Sequence, residues 1–374
     1  MSTEISPPPV KRRRLDSSPP SNTTLRVYAW NINGIAPFLQ APQKQITSFF
    51  TPSPTKSTIS VSEPPPPPRA SLRDFLRRHS FPHLLLLQEV KIAPTDTTTQ
   101  TLVQRAVATL HSSPNEPDYL AFFTLPTDKF NATGFGRKVY GVCSLIRRDF
   151  FTSQGVTVRN VDWDAEGRFS VIETEGREGW PRLSIWNVYA VNGTEFEYRD
   201  PDTGEVRGTR HGRKLEVQRL MRGEVERLEA EGYGVVLAGD MNIARDGRDG
   251  WPGLRTRPAQ HMRNRRDFVE KFFGDGEGGL GMCDTFREME GEARRYTYYP
   301  RGVKWGESCD RVDYAICSKA LKGALTEAGM LNSEQERGPS DHVPVFATFD
   351  FGHSRGGSKK IKQDDPGGGM ENSE

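Results

Sequence analysis

Apolar segments with the length and composition of β-strands recur in runs along this chain, and they outnumber the segments with helical character. The segments "HLLLLQEV" (83–90) and "GVVLAGDMN" (234–242) are apolar almost throughout, which is typical of strands covered on both faces. Four segments have helical character, namely 71–79, 97–111, 213–231 and 258–273. Runs of strands with few helices between them predict a layered α+β fold in which β-sheets pack together.

Three segments have the composition of disordered chain, being rich in Pro, Ser, Thr or Gly and poor in apolar side chains. They are the tails 1–23 and 353–374 and an internal stretch, 37–70. A recognisable strand precedes the internal stretch and a recognisable helix follows it. We therefore expect one domain, 24–352, that carries a disordered insertion.

The overall composition excludes several classes of protein. A net charge of +2 is far from that of a polycation, so any nucleic-acid footprint must be local. The four cysteines are scattered without a C-x-x-C pair, which is typical of a reduced, intracellular protein. No apolar run is long enough to span a bilayer and no signal peptide is recognisable, so we expect no membrane association. Nothing in the sequence indicates an oligomer, and we expect a monomer.

Several predicted strands end in the same way, with carboxylates or amides directly after the apolar run. These residues are Asn31 and Asn33 in "WNING", Glu89 in "LLLLQEV", Asp240 and Asn242 in "LAGDMN", and Asp341 and His342 in "SDHVPV". Any one of them alone is best explained as a turn or cap residue. Gathered at one edge, they would form an oxygen-rich site that suits Mg²⁺ or Mn²⁺ better than Zn²⁺.

Eight short blocks carry a resemblance to a known family. In order they are "WNING", "LQEVK", "VYGV", "EGR", "NVYAVN", "GDMNI", "RVDY" and "PSDHVPVFATF". Together they resemble the exonuclease III / apurinic-apyrimidinic endonuclease family of the endonuclease/exonuclease/phosphatase superfamily. The resemblance runs from Arg26 to Phe351, apart from 37–70. It implies a four-layer α/β sandwich, with two facing mixed β-sheets flanked by helices, as in deoxyribonuclease I.

The resemblance also implies an activity, the Mg²⁺-dependent hydrolysis of DNA phosphodiesters at abasic sites or 3′ ends, with Mn²⁺ as an alternative cation. Tyr189 stands where the phosphatase relatives carry a histidine, which favours the DNA-repair branch. Asp240 would take a proton from the attacking water, and Asp313 would keep His342 charged beside a phosphate oxygen. The implied catalytic residues are Tyr189, Asp240, Asn242, Asp313 and His342. The implied metal site comprises Asn31, Glu89, Asp240, Asn242, Asp341 and His342.

Basic residues cluster in three segments, "RGTRHGRK" (207–214), "RTRPAQHMRNRR" (255–266) and "RRYTYYPRGVKW" (294–305). The first two follow strand ends of the predicted site, which favours contact with a nucleic-acid backbone over an ordinary solvated face. No helix-turn-helix or zinc-finger spacing occurs, so recognition should be of shape and damage. We expect DNA contacts from Asn33, Arg168, Asn192, Arg213, Lys214, Arg263 and Arg266.

One position departs from the family pattern. In "CDRVDY", Asp310 stands where the family usually places Trp or Leu, in the pocket for a flipped abasic sugar. A carboxylate there should disfavour a bare sugar, while Val312 and Tyr298 line the remainder of the pocket. The sequence therefore leaves open whether abasic-site incision or 3′-end processing dominates.

Two short motifs lie in the predicted disordered segments. Residues 11–14 form the basic block of "PPPVKRRRLDSSPP", which predicts a nuclear localisation signal read by an import receptor. Residues 43–50, "QKQITSFF", resemble the sliding-clamp-binding motif of repair enzymes. Its anchors are Gln43, Ile46, Phe49 and Phe50. Both motifs predict a eukaryotic nuclear enzyme tethered to proliferating cell nuclear antigen.

Two alternatives stay open from the sequence. The chain could be a phosphomonoesterase of the same superfamily, acting on a phosphoinositide or a nucleotide, since "CDRV" resembles a block of the inositol-polyphosphate phosphatases. It could also be a non-catalytic adaptor for the clamp and DNA. Tyr189 argues against the first alternative, and the intact set of carboxylates argues against the second.

Overall fold

The computed structural model describes residues 23–39, 70–109, 113–132, 136 and 138–352. The strands in chain order are β1 (Thr24–Asn31), β2 (Leu84–Gln88), β3 (Tyr119–Thr124), β4 (Val142–Arg147), β5 (Thr157–Asn160), β6 (Phe169–Glu173), β7 (Leu183–Tyr189), β8 (Glu197–Arg199), β9 (Val206–Thr209), β10 (Gly234–Asp240), β11 (Gly250–Trp251), β12 (Cys283–Asp284), β13 (Cys309–Asp310), β14 (Asp313–Cys317), β15 (Leu325–Met330) and β16 (Val345–Asp350). The α-helices are α1 (Leu72–Arg78), α2 (Thr97–Val107), α3 (Arg148–Ser153), α4 (Arg210–Ala230), α5 (Gln260–Phe273), α6 (Thr285–Glu290) and α7 (Glu334–Arg337). Two 3-10 helices span Ala36–Phe38 and Lys319–Ala324.

Most strands belong to two six-stranded sheets. The first has the order β15-β16-β1-β2-β4-β3, and the second has the order β12-β14-β10-β7-β6-β5. Both sheets are mixed, because β1 runs parallel to β2 and β10 runs parallel to β7, whereas β16 and β14 are antiparallel to their neighbours. The two parallel pairs bring the carboxyl ends of β1, β2, β7 and β10 to the same side of the molecule.

Alternating side chains of the strands build separate cores on the two faces of each sheet. In β1, Leu25 and Val27 belong to the core between the sheets, whereas Trp30 belongs to the core under α1 and α2. In β10, Val236 faces inward, and Leu237 belongs to the core under α4 and α5. The order is therefore helices, sheet, sheet, helices, which confirms the predicted four-layer sandwich.

Several element boundaries differ from those expected from the sequence; α2, for example, ends at Val107 instead of residue 111. Helix α4 begins at Arg210 instead of residue 213, because the Thr209 hydroxyl accepts a hydrogen bond from the Gly212 N–H and caps the helix. The insertion was expected from residue 37, but Phe38 is buried in a 3-10 helix and packs edge-to-face on Trp30. A single aromatic residue in a polar, proline-rich run gives no periodic signal of burial.

The tails and the motifs at 11–14 and 43–50 lie outside the described residues, so their predicted roles stay predictions. Among the residues that the structure does describe, no helix combines the length and the apolar character needed to cross a membrane.

The half-buried His83 side chain makes the fold sensitive to acid. Burial lowers the pKa of His83 to about 3, and the Arg147 guanidinium acts in the same direction. Its Nδ1 accepts a hydrogen bond of 3.1 Å from the Arg26 N–H, which requires an unprotonated nitrogen. The unfolded chain binds a proton at a pKa near 6.5, so unfolding is favoured as pH falls from about 6.5 towards 3.

We expect His83→Asn, which keeps an acceptor at this position, to flatten the acid limb of the stability curve. Loss of the titrating ring removes a slope of up to about 1.4 kcal/mol per pH unit between pH 6.5 and 3. Urea unfolding of both proteins at several pH values measures the difference. Parallel stability curves over this range would contradict the assignment.

Candidate active site

The candidate site lies where polar residues at the ends of strands from both sheets meet. The Asn31 Nδ2 group, at the end of β1, donates to Asp240 Oδ2 at 3.0 Å and to Glu89 Oε1 at 3.3 Å. Asp240 ends β10 in the second sheet, and Glu89 follows β2 in the first. One amide group therefore joins two carboxylates across the gap between the sheets.

A chain of side-chain contacts continues from Glu89 along the rim. Lys91 Nζ lies 3.1 Å from Glu89 Oε2 and also donates to Asn33 Oδ1. The Asn33 Nδ2 group donates to Asp341 Oδ1 at 3.0 Å. The predicted residues Asn33, Glu89 and Asp341 are thus brought together. Lys91 was missed as a site residue, although it belongs to the "LQEVK" block.

Four residues of the site have a strained backbone. Asn33, Glu89, Lys91 and Asn242 have φ values between 50° and 54°, in the left-handed region that few non-glycine residues adopt. Such conformations persist where surrounding contacts impose them, and they cluster at functional sites. Here the turns after β1, β2 and β10 aim their polar side chains into one cleft.

Asp240 is the most enclosed carboxylate of the cleft, with 1% of its surface exposed. Its Oδ1 accepts a hydrogen bond of 2.7 Å from the Asn242 N–H. Burial and the neighbouring Asp313 carboxylate raise the pKa of Asp240 to about 7. Asp240 is therefore a stronger base than an exposed aspartate and is matched to neutral pH.

His342 and Asp313 form a buried ion pair beside Asp240. His342 Nδ1 lies 2.8 Å from Asp313 Oδ2. Burial opposes the charge of His342, but the Asp313 carboxylate outweighs it and raises the pKa of His342 to about 10. The ring is fixed from the backbone, since the His342 N–H donates to Ser340 Oγ, which in turn donates to the Asn31 carbonyl.

This protonation state bears on the predicted metal role of His342. An imidazolium ring has no lone pair free for a metal ion, so the geometry favours His342 as a binder of phosphate oxygen. His342 as a metal ligand stays a prediction, because potential ligand atoms of Asp240, Asp313 and His342 lie within 4.8 Å of one another.

Tyr189 lies at the end of β7, and its hydroxyl donates to Glu89 Oε1. Behind it, the guanidinium of Arg168 stacks on the rings of Tyr140, at 3.7 Å, and Tyr189, at 4.8 Å. Arg168 is also paired with Glu166 and is 2% exposed, so it cannot reach DNA from this position. The predicted DNA contact is replaced by a role in holding Tyr189 in place.

Lys214 likewise has an internal role. Its ammonium group donates to the carbonyls of Val191, Met241 and Asn242, at 2.7, 3.0 and 3.1 Å, and its surface is 2% exposed. Burial lowers the pKa of Lys214 to about 7. Lys214 thus ties the segment after β7 to the segment after β10 and has no free donor for DNA. This corrects its predicted DNA contact.

The cleft is a cavity of about 240 Å³. Its lining residues are Glu89, Tyr189, Asn192, Gly193, Lys214, Asp240, Asn242, Ile243, Ala244, Arg255, His261, Asn264, Arg265, Tyr298, Asp310, Val312, Asp341 and His342. Asn192 takes its predicted place at the rim, and Asp310, Val312 and Tyr298 line the cavity as expected. The structure therefore gathers most of the predicted site residues in one cleft.

The basic residues of α5 are arranged differently from the prediction. Arg263 and Arg266 are exposed, and neither lines the cavity. His261, Asn264 and Arg265 line it instead, and the sequence reading missed all three. They precede the buried Phe268 at helical spacing, and this spacing is the signal that could have found them. Outside α5, Arg213 is half-buried and donates to the Trp163 carbonyl.

The donor set fits a hard divalent cation. Glu89, Asp240 and Asp341 supply carboxylates, while Asn31 and Asn33 supply amide oxygens, which are the ligands that Mg²⁺ and similar ions prefer. Asp240, Asp313 and His342 have potential ligand atoms within 4.8 Å of one another. The buried Oδ1 of Asp313 has no hydrogen-bond partner among the described residues. The His342–Asp313 pairing leaves Glu89 and Asp341, with Asn31, as the residues best suited to hold the cation.

Comparisons with known proteins agree with this architecture. The sequence profile of the Endonuclease/Exonuclease/phosphatase family matches residues 28–342. The fold is similar to the AP endonuclease LMAP from Leishmania major, with a TM-score of 0.62 and 16% identity over 91% of this chain and 92% of that chain. It is also similar to the catalytic domain of Xenopus laevis APE2, with a TM-score of 0.56 and 18% identity over 87% of this chain and 92% of that chain.

A third similar structure is the 3′-5′ exonuclease NExo from Neisseria meningitidis, with a TM-score of 0.53 and 18% identity over 87% of this chain and 100% of that chain. At these identities the three structures establish the shared fold. A search of curated protein sequences gives no significant match.

We expect Asp313→Asn to release the proton of His342 more easily. Removing a carboxylate 2.8 Å from the ring should lower the pKa of His342 from about 10 by roughly 1–3. Histidine NMR titration of the metal-free protein measures this change. His83, directly before β2, serves as an internal control whose pKa should not move. An unchanged pKa of His342 would contradict the pairing.

Proposed function

Since the chain belongs to the Endonuclease/Exonuclease/phosphatase family, we propose that it is a Mg²⁺-dependent nuclease of DNA repair that hydrolyses phosphodiester bonds at abasic sites or 3′ ends. The observation that carries this proposal is the pairing of a buried base, Asp240, with the charged His342 in one cleft. A phosphate bound between them would meet a proton acceptor on one side and a cation on the other. This is the arrangement that attack by water on phosphorus needs.

Each residue of the cleft has a separate role in the proposed hydrolysis. His342 binds a phosphate oxygen, and Asp313 keeps the imidazolium charged and oriented. Asp240 accepts the proton of the attacking water, while the backbone N–H of Asn242 fixes the direction of its carboxylate. Tyr189 holds Glu89 through its hydroxyl. The cation, when bound, would neutralise charge on the phosphate and on the leaving oxygen.

Two features support DNA as the substrate. Tyr189 stands where the phosphatase relatives carry a histidine, and basic residues surround the cleft. Arg255 and Arg265 line the cavity, and exposed arginines such as Arg263 and Arg266 continue from it along α5. Cations in this arrangement suit a phosphate backbone that passes over the cleft. Arg263 and Arg266 would then contact phosphates beyond the scissile one.

The two motifs outside the described residues complete the proposal. Residues 43–50 would anchor the enzyme to the sliding clamp, proliferating cell nuclear antigen, and residues 11–14 would direct it to the nucleus. A short turn in 43–50 would place Ile46, Phe49 and Phe50 on one side, where they would fill an apolar pocket of the clamp.

Cleavage of three labelled duplexes tests the activity, one with an internal abasic site, one with a recessed 3′ end and one intact. With Mg²⁺ we expect cleavage of the first two, loss of cleavage on chelation, and recovery with Mg²⁺ or Mn²⁺. Asp240→Asn removes the proton acceptor and should lower kcat by about 10²- to 10⁴-fold. Asp275→Asn is the matched control, because Asp275 is exposed and does not line the cleft.

Undiminished cleavage by Asp240→Asn would contradict the mechanism. Failure to cleave any duplex with either cation, by a folded protein, would contradict the nuclease proposal. Hydrolysis of a nucleotide or phosphoinositide monoester would then identify a phosphatase of the same family.

The clamp motif generates its own prediction. Removal of two aromatic anchors by Phe49→Ala with Phe50→Ala should weaken binding of the full chain to the clamp by at least about 30-fold, the cost of losing one hot-spot side chain. Calorimetric titration measures the affinity. Lys44→Ala with Thr47→Ala, at the non-anchor positions of the same segment, should bind like the unaltered chain. Equal affinities for all three proteins would rule out this mode of tethering.

A further inference from the structure

Asp310 stands beside the phosphate-binding histidine in a small antiparallel ladder. Tyr298 pairs with Asp310 on one side and with His342 on the other. Residues that pair directly across antiparallel strands project their side chains from the same face. The carboxylate, the phenol ring and the imidazolium are therefore neighbours on one face, and all three line the cavity.

Within the described part of the chain, no side-chain hydrogen bond or ion pair to the Asp310 carboxylate is found, and the guanidinium groups that act on it from a distance are those of Arg255 and Arg265. The residue opposite it on β11 is Gly250, and a Cβ there would lie 2.9 Å from Leu254 Cδ2 and 3.1 Å from Asp310 Oδ1, so Asp310 packs closely on this strand. Asp310 is nevertheless half-buried and lines the cavity, so its carboxylate is accessible from there.

The charges around Asp310 keep it available to a ligand. Burial raises the pKa of Asp310, and the nearby guanidinium groups of Arg255 and Arg265 act against this rise. Arg265 is already committed, because it donates to the carbonyls of Ala244 and Arg255. A half-buried carboxylate without a hydrogen bond costs free energy, and a ligand that donates a hydrogen bond to it recovers this cost.

The position of this acceptor defines the chemistry of its ligand. Adjacent strands lie about 4.8 Å apart, so the backbones of Asp310 and His342 are separated by roughly 10 Å, with Tyr298 between them. A phosphate on His342 and the sugar attached to it would span this distance. Val312 and Ala244 provide apolar parts of the cavity wall. A sugar hydroxyl is the donor group that such a site would meet.

We propose that Asp310 accepts a hydrogen bond from a hydroxyl group of the sugar next to the phosphate on His342, and so selects hydroxylated sugars at that position. Two nucleic-acid groups have this chemistry, the 1′-hydroxyl of a ring-closed abasic site and the 2′-hydroxyl of a ribonucleotide. The proposal reverses the expectation from the sequence that Asp310 disfavours a bare sugar, because a sugar with a free hydroxyl can donate to the carboxylate. The proposal rests on the nuclease function proposed above and names its substrate class. Asp310 is then the residue that determines specificity, without a part in the hydrolysis.

The test compares four duplexes that are identical except at one sugar. They carry a natural abasic site, its tetrahydrofuran analogue without the 1′-hydroxyl, a single ribonucleotide, and the matching deoxynucleotide. For the unaltered chain we expect kcat/KM to be about 10- to 100-fold higher for the hydroxylated member of at least one pair, the range of one hydrogen bond to a charged acceptor. The pair that shows this ratio identifies the source of the hydroxyl.

Two variants test whether Asp310 causes this ratio of kcat/KM values. Asp310→Leu should bring it to within about two-fold of unity by losing activity on the hydroxylated duplex alone, whereas Asp310→Asn, which keeps the shape and an acceptor oxygen, should retain part of it. Ratios near unity for the unaltered chain, or a ratio that survives Asp310→Leu, would overturn the proposal.

Binding of the same four duplexes by the Asp240→Asn protein, followed by fluorescence anisotropy, separates this proposal from the nuclease function. If the unaltered chain cleaves no duplex, the nuclease function fails, and equal affinities of the Asp240→Asn protein within each pair overturn the hydroxyl proposal as well. A higher affinity for a hydroxylated duplex that is lost with Asp310→Leu supports the hydroxyl proposal even then.

Discussion

The hydrogen bond from Asn31 to Asp240 joins the ends of two strands that belong to different sheets, and the site depends on it. Deeper between the sheets, Gln88 donates to Asn187 at 2.8 Å and makes a second polar link. The position just before Asp240 needs a residue without a side chain, because a Cβ at Gly239 would lie 2.1 Å from the Val188 carbonyl on the adjacent strand β7 and 3.0 Å from Gln88 Nε2 of the facing sheet. The geometry of the candidate site is thus a property of the seam between the sheets.

Two neighbouring aspartates acquire opposite roles at this seam. Asp313 forms an ion pair with the imidazolium of His342. Asp240 is buried close to the Asp313 carboxylate, and both effects raise its pKa. Environment, and not residue type, makes one carboxylate an ion-pair partner and the other a base. The same logic applies beneath Tyr189, where Glu166 pairs with two buried arginines and so allows a guanidinium to support the tyrosine ring.

The sequence was sufficient for the layers and for most of the cleft, because strands are read from apolar runs and their polar ends must meet at one edge. The sequence was insufficient to predict where the arginine and lysine side chains lie. Arg168 and Lys214 were expected to contact DNA, since nothing local in a sequence shows the ring stack or the three carbonyls that hold them inside. On α5, a cluster of cations did not reveal that Arg265, and not Arg263 or Arg266, faces the cleft, because the rotation of a helix is set by tertiary packing.

The pairing of β1 with β16 has a consequence for folding during synthesis of the chain. β1 is among the first segments of the domain to be synthesised and β16 is the last strand, yet they lie side by side in antiparallel register. Asn31 and His342, which flank this pair, can meet only after β16 has left the ribosome. A nascent chain would therefore hold separate fragments of the cleft and no complete one. A complete site would therefore form only after β16 has emerged and paired with β1.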